Sequence, residues 1–262
     1  MTNAALHVAR TGLDAQSARM RVIANNLANV NTTGFKRERA SFETLAYQTM
    51  VAPGAPSSAE NKYATGLNLG SGVQMTGTAR IDTQGSYSNT GNVTDLAIEG
   101  AGFFQVQMPD GRTAYTRAGD FKLSSEGRLV TNEGMPVIPE IIVPQDAESI
   151  TIGADGTVSA TTPGSAEATE VGKIEIARFV NPAGLQSLGD NLLIETASSG
   201  TPQVGPGASE GRGSIRSGTL EGSNVNVVEE LVDMIETQRA YEVNSKMISA
   251  TDEMLRYVNQ NI

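Results

Sequence analysis

A seven-residue apolar repeat occurs at both ends of this chain, and that repeat constrains the fold more than any other feature. Near the N-terminus Leu6, Leu13, Met20 and Leu27 recur at this interval, with Ala9, Gln16, Ile23 and Val30 at the alternate positions. Near the C-terminus Val227, Met234, Tyr241, Ile248 and Leu255 do the same, with Leu231, Gln238, Ser245 and Asp252 between them. A heptad of this kind keeps one stripe of a helix turned toward a partner helix. Val243, Met247, Ala250 and Met254 form a second stripe on the last helix. Two stripes allow two neighbours, whereas a lone surface helix usually needs one. The expected class is α+β, with long antiparallel, coiled-coil-like terminal helices enclosing a β-rich central domain.

The first helix is expected to start after Thr2 or Asn3 and to end near Asn31, where Gly34 can adopt the left-handed conformation that closes many helices. The last helix begins at Asn226, a capping residue with Glu229 three places on and Glu229 and Glu230 in the positively polarised first turn. Four segments follow: 1–34, a connecting region 35–72 with an extended stretch at about 47–65, a β region with its return linker 73–222, and 223–262. Residues 35–50 read equally as a strand or a helical turn. Residues 51–72 show neither helical nor strand periodicity. In the β region strands are expected at Val73 to Ile81, Leu96 to Met108, Tyr115 to Leu123, Val171 to Phe179 and Asn191 to Thr196. Asp110-Gly111, Glu126-Gly127 and Asp155-Gly156 are turn signals between them. Such spacing favours a sandwich or barrel-like domain over a parallel sheet, with residues 197–213 as a loose return. A pair of helices buries one side of each, and helix formation alone is marginal in water, so other copies are expected to complete the burial.

Composition narrows the function. The net charge of −10 argues against a nucleic-acid binder, because phosphate contacts need Lys/Arg clusters. The basic run Lys36-Arg37-Glu38-Arg39 is too short to change this and reads as a solvated or partner-facing helix end. There is no cysteine, which removes disulfides, thiolate metal sites and thiol nucleophiles. No stretch reaches the ~20 apolar residues of a membrane span. The N-terminus lacks the basic start and apolar core of a signal peptide, so any route out of the cytoplasm is expected to be a different one.

Candidates for chemistry are few. His7, the only histidine, reads as a packing or surface residue of the first helix. Gly100-Ala101-Gly102 lacks the third glycine and following helix of a dinucleotide site and reads as tight β packing. The Asp-Gly pairs lack the alternating ligands of a calcium loop. Glu229 and Glu230 belong to a helix start and imply no cleft. No catalytic, cofactor or metal site is expected.

Residues 24–37, Ala-Asn-Asn-Leu-Ala-Asn-Val-Asn-Thr-Thr-Gly-Phe-Lys-Arg, resemble the N-terminal signature of the flagellar rod and hook (axial) protein family. The run from Ser223 to Ile248 resembles the family's C-terminal signature, and residues 100–106 and 115–121 resemble its β domain. The motif residues carried over are Asn25, Asn26, Asn29, Asn31, Gly34 and Phe35, then Asn224, Asn226, Glu229, Arg239, Tyr241 and Asn244. The length, the single modest β domain and the stretch containing Tyr47, Pro53, Gly54 and Pro56 are similar to the distal-rod branch. Proximal rod and hook subunits are the nearest siblings. The resemblance implies a subunit of a rigid helical homopolymer in the periplasm that transmits torque, encloses an export channel and catalyses nothing. Its implied partners are the proximal rod proteins, the hook protein, the surrounding L- and P-ring proteins and the flagellar export apparatus. It also implies export without a cleaved signal peptide. The assembly interface expected on this basis comprises Leu6, Leu13, Met20, Ile23, Leu27, Val30, Val227, Leu231, Met234, Tyr241, Val243, Met247, Ile248 and Leu255.

Overall fold

The computed structural model describes residues 2–56, 63–163 and 168–260. The chain divides into two units. The first joins Met1–Ala28, Glu38–Ala79 and Asn226–Ile262, and the second joins Asn29–Arg37 with Arg80–Val225.

In the first unit, α1 (Thr2–Ala28) and α2 (Val227–Gln260) lie against each other. Their direction follows from the pairs they make. Asn26 meets Glu230, Arg19 meets Asp233, and Gly12 sits beside Asn244. Positions fall along one helix as they rise along the other, so the two are antiparallel. The amide of Val228 donates to the Asn226 side-chain oxygen at 3.1 Å, which caps α2 as its sequence implies.

The connecting region left open between strand and helix is strand. β1 (Glu38–Thr44) and β2 (Tyr47–Val51) run out, and β3 (Leu67–Gly70) and β4 (Val73–Arg80) run back. β1 pairs with β4 and β2 with β3. The Leu45 amide bonds the Gly72 carbonyl across the gap, so the two ladders form one continuous ribbon. The stretch expected to lack strand periodicity therefore pairs in register, Tyr47 opposite Gly70 and Val51 opposite Leu67. Its pattern escaped the sequence because a ribbon exposed on both faces has no reason to alternate. Residues 57–62 of the extended stretch lie outside the described residues. The ribbon is laid along α1: Val73 N–H donates to Thr11 Oγ1, and His7 Nδ1 lies 3.2 Å from the Ser71 carbonyl.

The second unit carries β5 (Tyr87–Asn89), β6 (Leu96–Glu99), β7 (Phe103–Gln107), β8 (Thr113–Thr116), β9 (Lys122–Leu123), β10 (Leu129–Val130), β11 (Ser149–Ile152), β12 (Thr157–Thr161), β13 (Thr169–Lys173), β14 (Glu175–Arg178), β15 (Gln186–Gly189), β16 (Leu192–Ile194), β17 (Gln203–Pro206), β18 (Ser214–Ser217) and β19 (Thr219–Glu221). An antiparallel six-stranded sheet runs β15-β16-β8-β7-β14-β17, and a three-stranded sheet runs β11-β12-β13. Successive residues of a strand point to opposite faces, so Phe103 and Phe104 serve two different clusters. Phe104, Val106, Ile176 and Val158 build the main core, with Phe121 edge-on to Phe104 at 5.1 Å. Phe103, Tyr115 and Phe179 form a second cluster with Leu185 and Leu193, again edge-to-face.

Three expected strands are each broken in two, Tyr115 to Leu123 among them, since β8 ends at Thr116 and β9 begins at Lys122 in a different sheet. Leu96 to Met108 divides at Gly100-Ala101-Gly102, where both glycines have positive φ. A Cβ on Gly102 would sit 2.1 Å from the Ile176 side chain, so this turn admits no larger residue. The tight β packing read from Gly-x-Gly is there, but as a turn between β6 and β7. Val171 to Phe179 divides at Ile174, with β13 in one sheet and β14 in the other. The expected loose return contributes β17, the edge partner of β14. The hairpin at Asp155-Gly156 forms as read, its turn closed by Thr157 N–H and Oγ1–H on the Asp155 carboxylate.

Candidate assembly surface

The seam between α1 and α2 is built mainly of small and polar side chains. On α1 the buried residues are Ala9, Ala15, Ala18, Ile23 and Asn26. Among the described residues of α2 only Glu230 and Thr237 are buried, with Asn244 and Thr251 half-buried at the next two seven-residue steps. The heptad period read from the sequence is present. The seam facing α1 is offset from the large apolar residues and follows the series 230, 237, 244 and 251 instead. The reason is close approach. Gly12 lies so near Asn244 that a Cβ there would meet the amide nitrogen at 3.1 Å, and large side chains do not fit between the helices at this depth.

Most of the large apolar residues of α2 therefore point away from α1, whereas Met234 and Ile248 are half-buried. Val228, Val232, Ile235, Val243, Met247, Met254 and Tyr257 are exposed in steps of three, four or seven and eight residues, one stripe along the described helix. Val228 and Tyr257, near its two ends, are 69% and 70% exposed. Of the fourteen residues named for assembly, Ile23 is buried, and Leu6, Leu13, Met20, Leu27, Val30, Met234 and Ile248 are half-buried. Val227, Leu231, Tyr241, Val243 and Met247 are exposed, and the side chain of Leu255 lies outside the described residues.

The motif asparagines replace backbone partners. Asn26, buried on α1, accepts from the Glu38 amide and donates to the Glu38 carbonyl, both at 2.9 Å, and also donates to Glu230 Oε2 at 3.3 Å. One side chain thus fixes the foot of β1 and the first turn of α2 against α1. In the second unit Asn224 accepts from the Arg37 amide at 2.7 Å and donates to the carbonyls of Ile81 and Thr83. Gly34 has φ +70° and donates its amide to the Glu221 carbonyl, and a Cβ there would lie 2.6 Å from the backbone of Arg117 and Ala118. Asn25, Asn31, Asn226, Glu229, Arg239 and Tyr241 are exposed, and Asn29, Phe35 and Asn244 are half-buried. In the extended stretch Tyr47, Pro53, Gly54 and Pro56 are exposed.

The basic run, expected as a solvated or partner-facing helix end, ends no helix: Glu38 and Arg39 open β1, and Arg39 is exposed while Lys36 is not. Lys36 is buried in the second unit with its ammonium 2.6 Å from Glu221 Oε1 and bonded to the Thr83 carbonyl. Arg117 closes on Glu221 Oε2 at 2.6 Å and spends its other N–H groups on the carbonyls of Ile98, Gly100 and Gly102. Burial pushes the Glu221 carboxyl up. The two cations and the Gly85 amide outweigh that and hold it below its ordinary value. Burial lowers the Lys36 ammonium, against the opposing pull of Glu221. Residues 36, 117 and 221 share no local pattern, so no sequence signal pointed to this cluster. Among the described residues no group of three or more His, Cys, Asp or Glu is placed to hold a metal ion, and no helix is long and apolar enough to cross a membrane.

Three family models match the chain. One described as "Flagella basal body rod protein" matches residues 6–36, covering α1 and the Asn26–Gly34 motif. One described as "Flagellar hook protein FlgE/F/G D1 domain" matches residues 97–160, and one described as "Flagellar basal body rod FlgEFG protein C-terminal" matches residues 216–261. Among similar proteins, the flagellar basal-body rod protein FlgG of Buchnera aphidicola (subsp. Acyrthosiphon pisum) is 52% identical over 97% of this chain and 98% of its own length. The chain belongs to the FlgG family of flagellar basal-body rod proteins. FlgG proteins of Agrobacterium fabrum, at 48% over 98% of the chain, and Bacillus subtilis, at 40% over 94%, extend the family across distant bacteria. The FlgF protein of Caulobacter vibrioides stands at 38% over 90%. The relatives are named as flagellar rod proteins, and Lys36, Glu221 and Arg117 form a closed ion cluster inside the second unit.

Proposed function

We propose that the chain is the structural subunit of the distal rod of the flagellar basal body. It polymerises into a rigid helical tube that crosses the periplasm, transmits motor torque and encloses the channel through which proteins are exported. The observation that carries this reading is the outward apolar stripe of α2. A helix that spends its small and polar side chains on its own partner and presents valines, isoleucine and methionines to solvent is built to be covered by other copies. The FlgG relatives supply the setting, since they are named basal-body rod proteins. In this reading its neighbours are the proximal rod, the hook protein, the L and P rings and the export apparatus. The half-buried Leu13 and Ile248 lie in the first unit and remain part of the assembly interface in this reading. The coiled-coil and enclosing arrangement of the helices belongs to the polymer.

The test is polymerisation of the purified full-length chain, followed by sedimentation and electron microscopy. Straight tubes are expected at rising concentration. Leu13→Asp and Ile248→Asp are each expected to abolish them while the second unit stays folded. A chain that stays monomeric at high concentration overturns the reading.

A further inference from the structure

The last stretch of the second unit, residues 214–225, is attached differently from the rest of it. β18 pairs with β6 and β19 with β5, each as a two-stranded ladder outside the six-stranded and three-stranded sheets. The stretch carries three large apolar side chains, Ile215, Leu220 and Val225, and of these only Ile215 belongs to the main core. Its other attachments are polar. The Glu221 carboxylate takes the Lys36 ammonium, the Arg117 guanidinium and the Gly85 amide. The Gly222 amide donates to the Ser86 carbonyl at 2.7 Å, and Asn224 Nδ2 donates to the carbonyls of Ile81 and Thr83.

These attachments join the chain entering the unit to the chain leaving it. Four successive residues just ahead of β1 each bond the stretch. Gly34 donates its amide to the Glu221 carbonyl, and the Phe35 carbonyl accepts from the Asn224 amide. Lys36 donates to Glu221 Oε1, and the Arg37 amide donates to Asn224 Oδ1. A segment held by charge and backbone bonds over few buried apolar contacts lies at the low end of local stability. Opening it also returns three charges to water and so recovers part of the desolvation cost of burying them. The clusters around Phe104 and Phe103 meanwhile keep the six-stranded sheet packed.

We propose that residues 214–225 are a strap that opens and closes as one element on a β core that stays folded, with Glu221 as its latch. Closed, the strap clasps residues 34–37, which run into β1, to residues 221–224, which run into α2. Open, it breaks a bond at each of those four residues, and the two links come apart. The strap is thus a switch that sets whether the entry and exit of the second unit are bound together. It acts in the isolated chain, whether or not that chain polymerises.

Amide hydrogen exchange of the full-length chain, followed by NMR in solutions too dilute to polymerise, tests the strap. The amides of Gly34, Arg37, Gly85 and Gly222 are expected to open together, at least ~10-fold more often than those of β7 and β8. Glu221→Gln weakens the latch and should quicken these four amides roughly tenfold or more while β7 and β8 keep their rates. Asn224→Ala, which leaves the ion cluster intact, should quicken the same four. The chain has no native cysteine, so a disulfide between Ser88→Cys and Leu220→Cys, which face each other across β5 and β19, can lock the strap. In the oxidised double variant Gly34 and Arg37 should exchange as slowly as β7. Exchange of the four amides in one step with β7 and β8 overturns the proposal, as does an equal response of both groups to Glu221→Gln. Unchanged rates in both single variants, or fast exchange at Gly34 and Arg37 in the locked chain, overturn it as well.

Discussion

The two units of this chain meet water in opposite ways. The second buries a core of large apolar residues: Phe104, Ile174, Ile176 and Val106 are fully buried, its exposed ones such as Val180 and Ile142 lie scattered, and the charges of Lys36, Glu221 and Arg117 are paired within the unit. The first unit buries mostly alanine, asparagine, glutamate and threonine between its helices and exposes valine, isoleucine, methionine and tyrosine on α2 and the ribbon. The second unit has a core of its own. The first has half of one. Stability measured on the monomer therefore reports the β unit, and stability measured on the polymer reports the helices. A single mutation can move one without the other.

Four substitutions or conditions separate the two. Glu221→Ala leaves Lys36 and Arg117 buried without their counter-charge and should destabilise the second unit by about 3–5 kcal/mol. Chemical denaturation followed by tyrosine fluorescence or circular dichroism measures this loss. Phe104→Ala opens a cavity in the main core and should cost about 3–4 kcal/mol in the same assay, without altering the exposed stripe of α2. Acid is a milder probe. The folded Glu221 carboxyl holds its proton less tightly than the unfolded one, so it contributes stability above its ordinary value of 4.5, and that contribution is lost as the pH falls through the depressed folded value. Thermal melts from pH 6 to pH 3 should therefore fall less steeply in Glu221→Gln than in the unmodified chain. The smallest expected effect on the monomer is that of Val243→Asp, within about 0.5 kcal/mol because the residue is already in water. The same variant should fail to pellet as polymer. Loss of monomer stability from Val243→Asp, or normal tubes, would erase the distinction between the units.

Deleting residues 47–65 removes the outer half of the ribbon and should leave a polymer that bends or curves, as judged by electron microscopy. Straight tubes of unchanged stiffness would count against a role for the ribbon in rigidity.

Much of the β unit was legible because its signals are local. Asp155-Gly156 and Asp110-Gly111 each specify a turn by the conformations they permit, and strands flank them. The terminal helices were legible from their period. The phase was not, because a heptad rule looks for large apolar residues in the seam, and here Gly12, Ala15 and Ala18 bring the helices too close for them. The ribbon escaped because neither of its faces is buried. The triad of Lys36, Arg117 and Glu221 was invisible because its members lie 81 and 104 positions apart. Lys36 in particular was misread, since one buried lysine inside a basic run looks like its solvated neighbours until its acceptor is known.

The ribbon has a mechanical consequence. Its ladder bonds run across the strands, so a pull along its length loads them side by side in shear, and they must yield together. A pull that splays the tip would open them one after another, like a zip. Asn26 anchors the foot of the outgoing strand to α1 with two backbone bonds. The arm is thus stiff against tension along its axis and weak against peeling, and its strength depends on the direction of load.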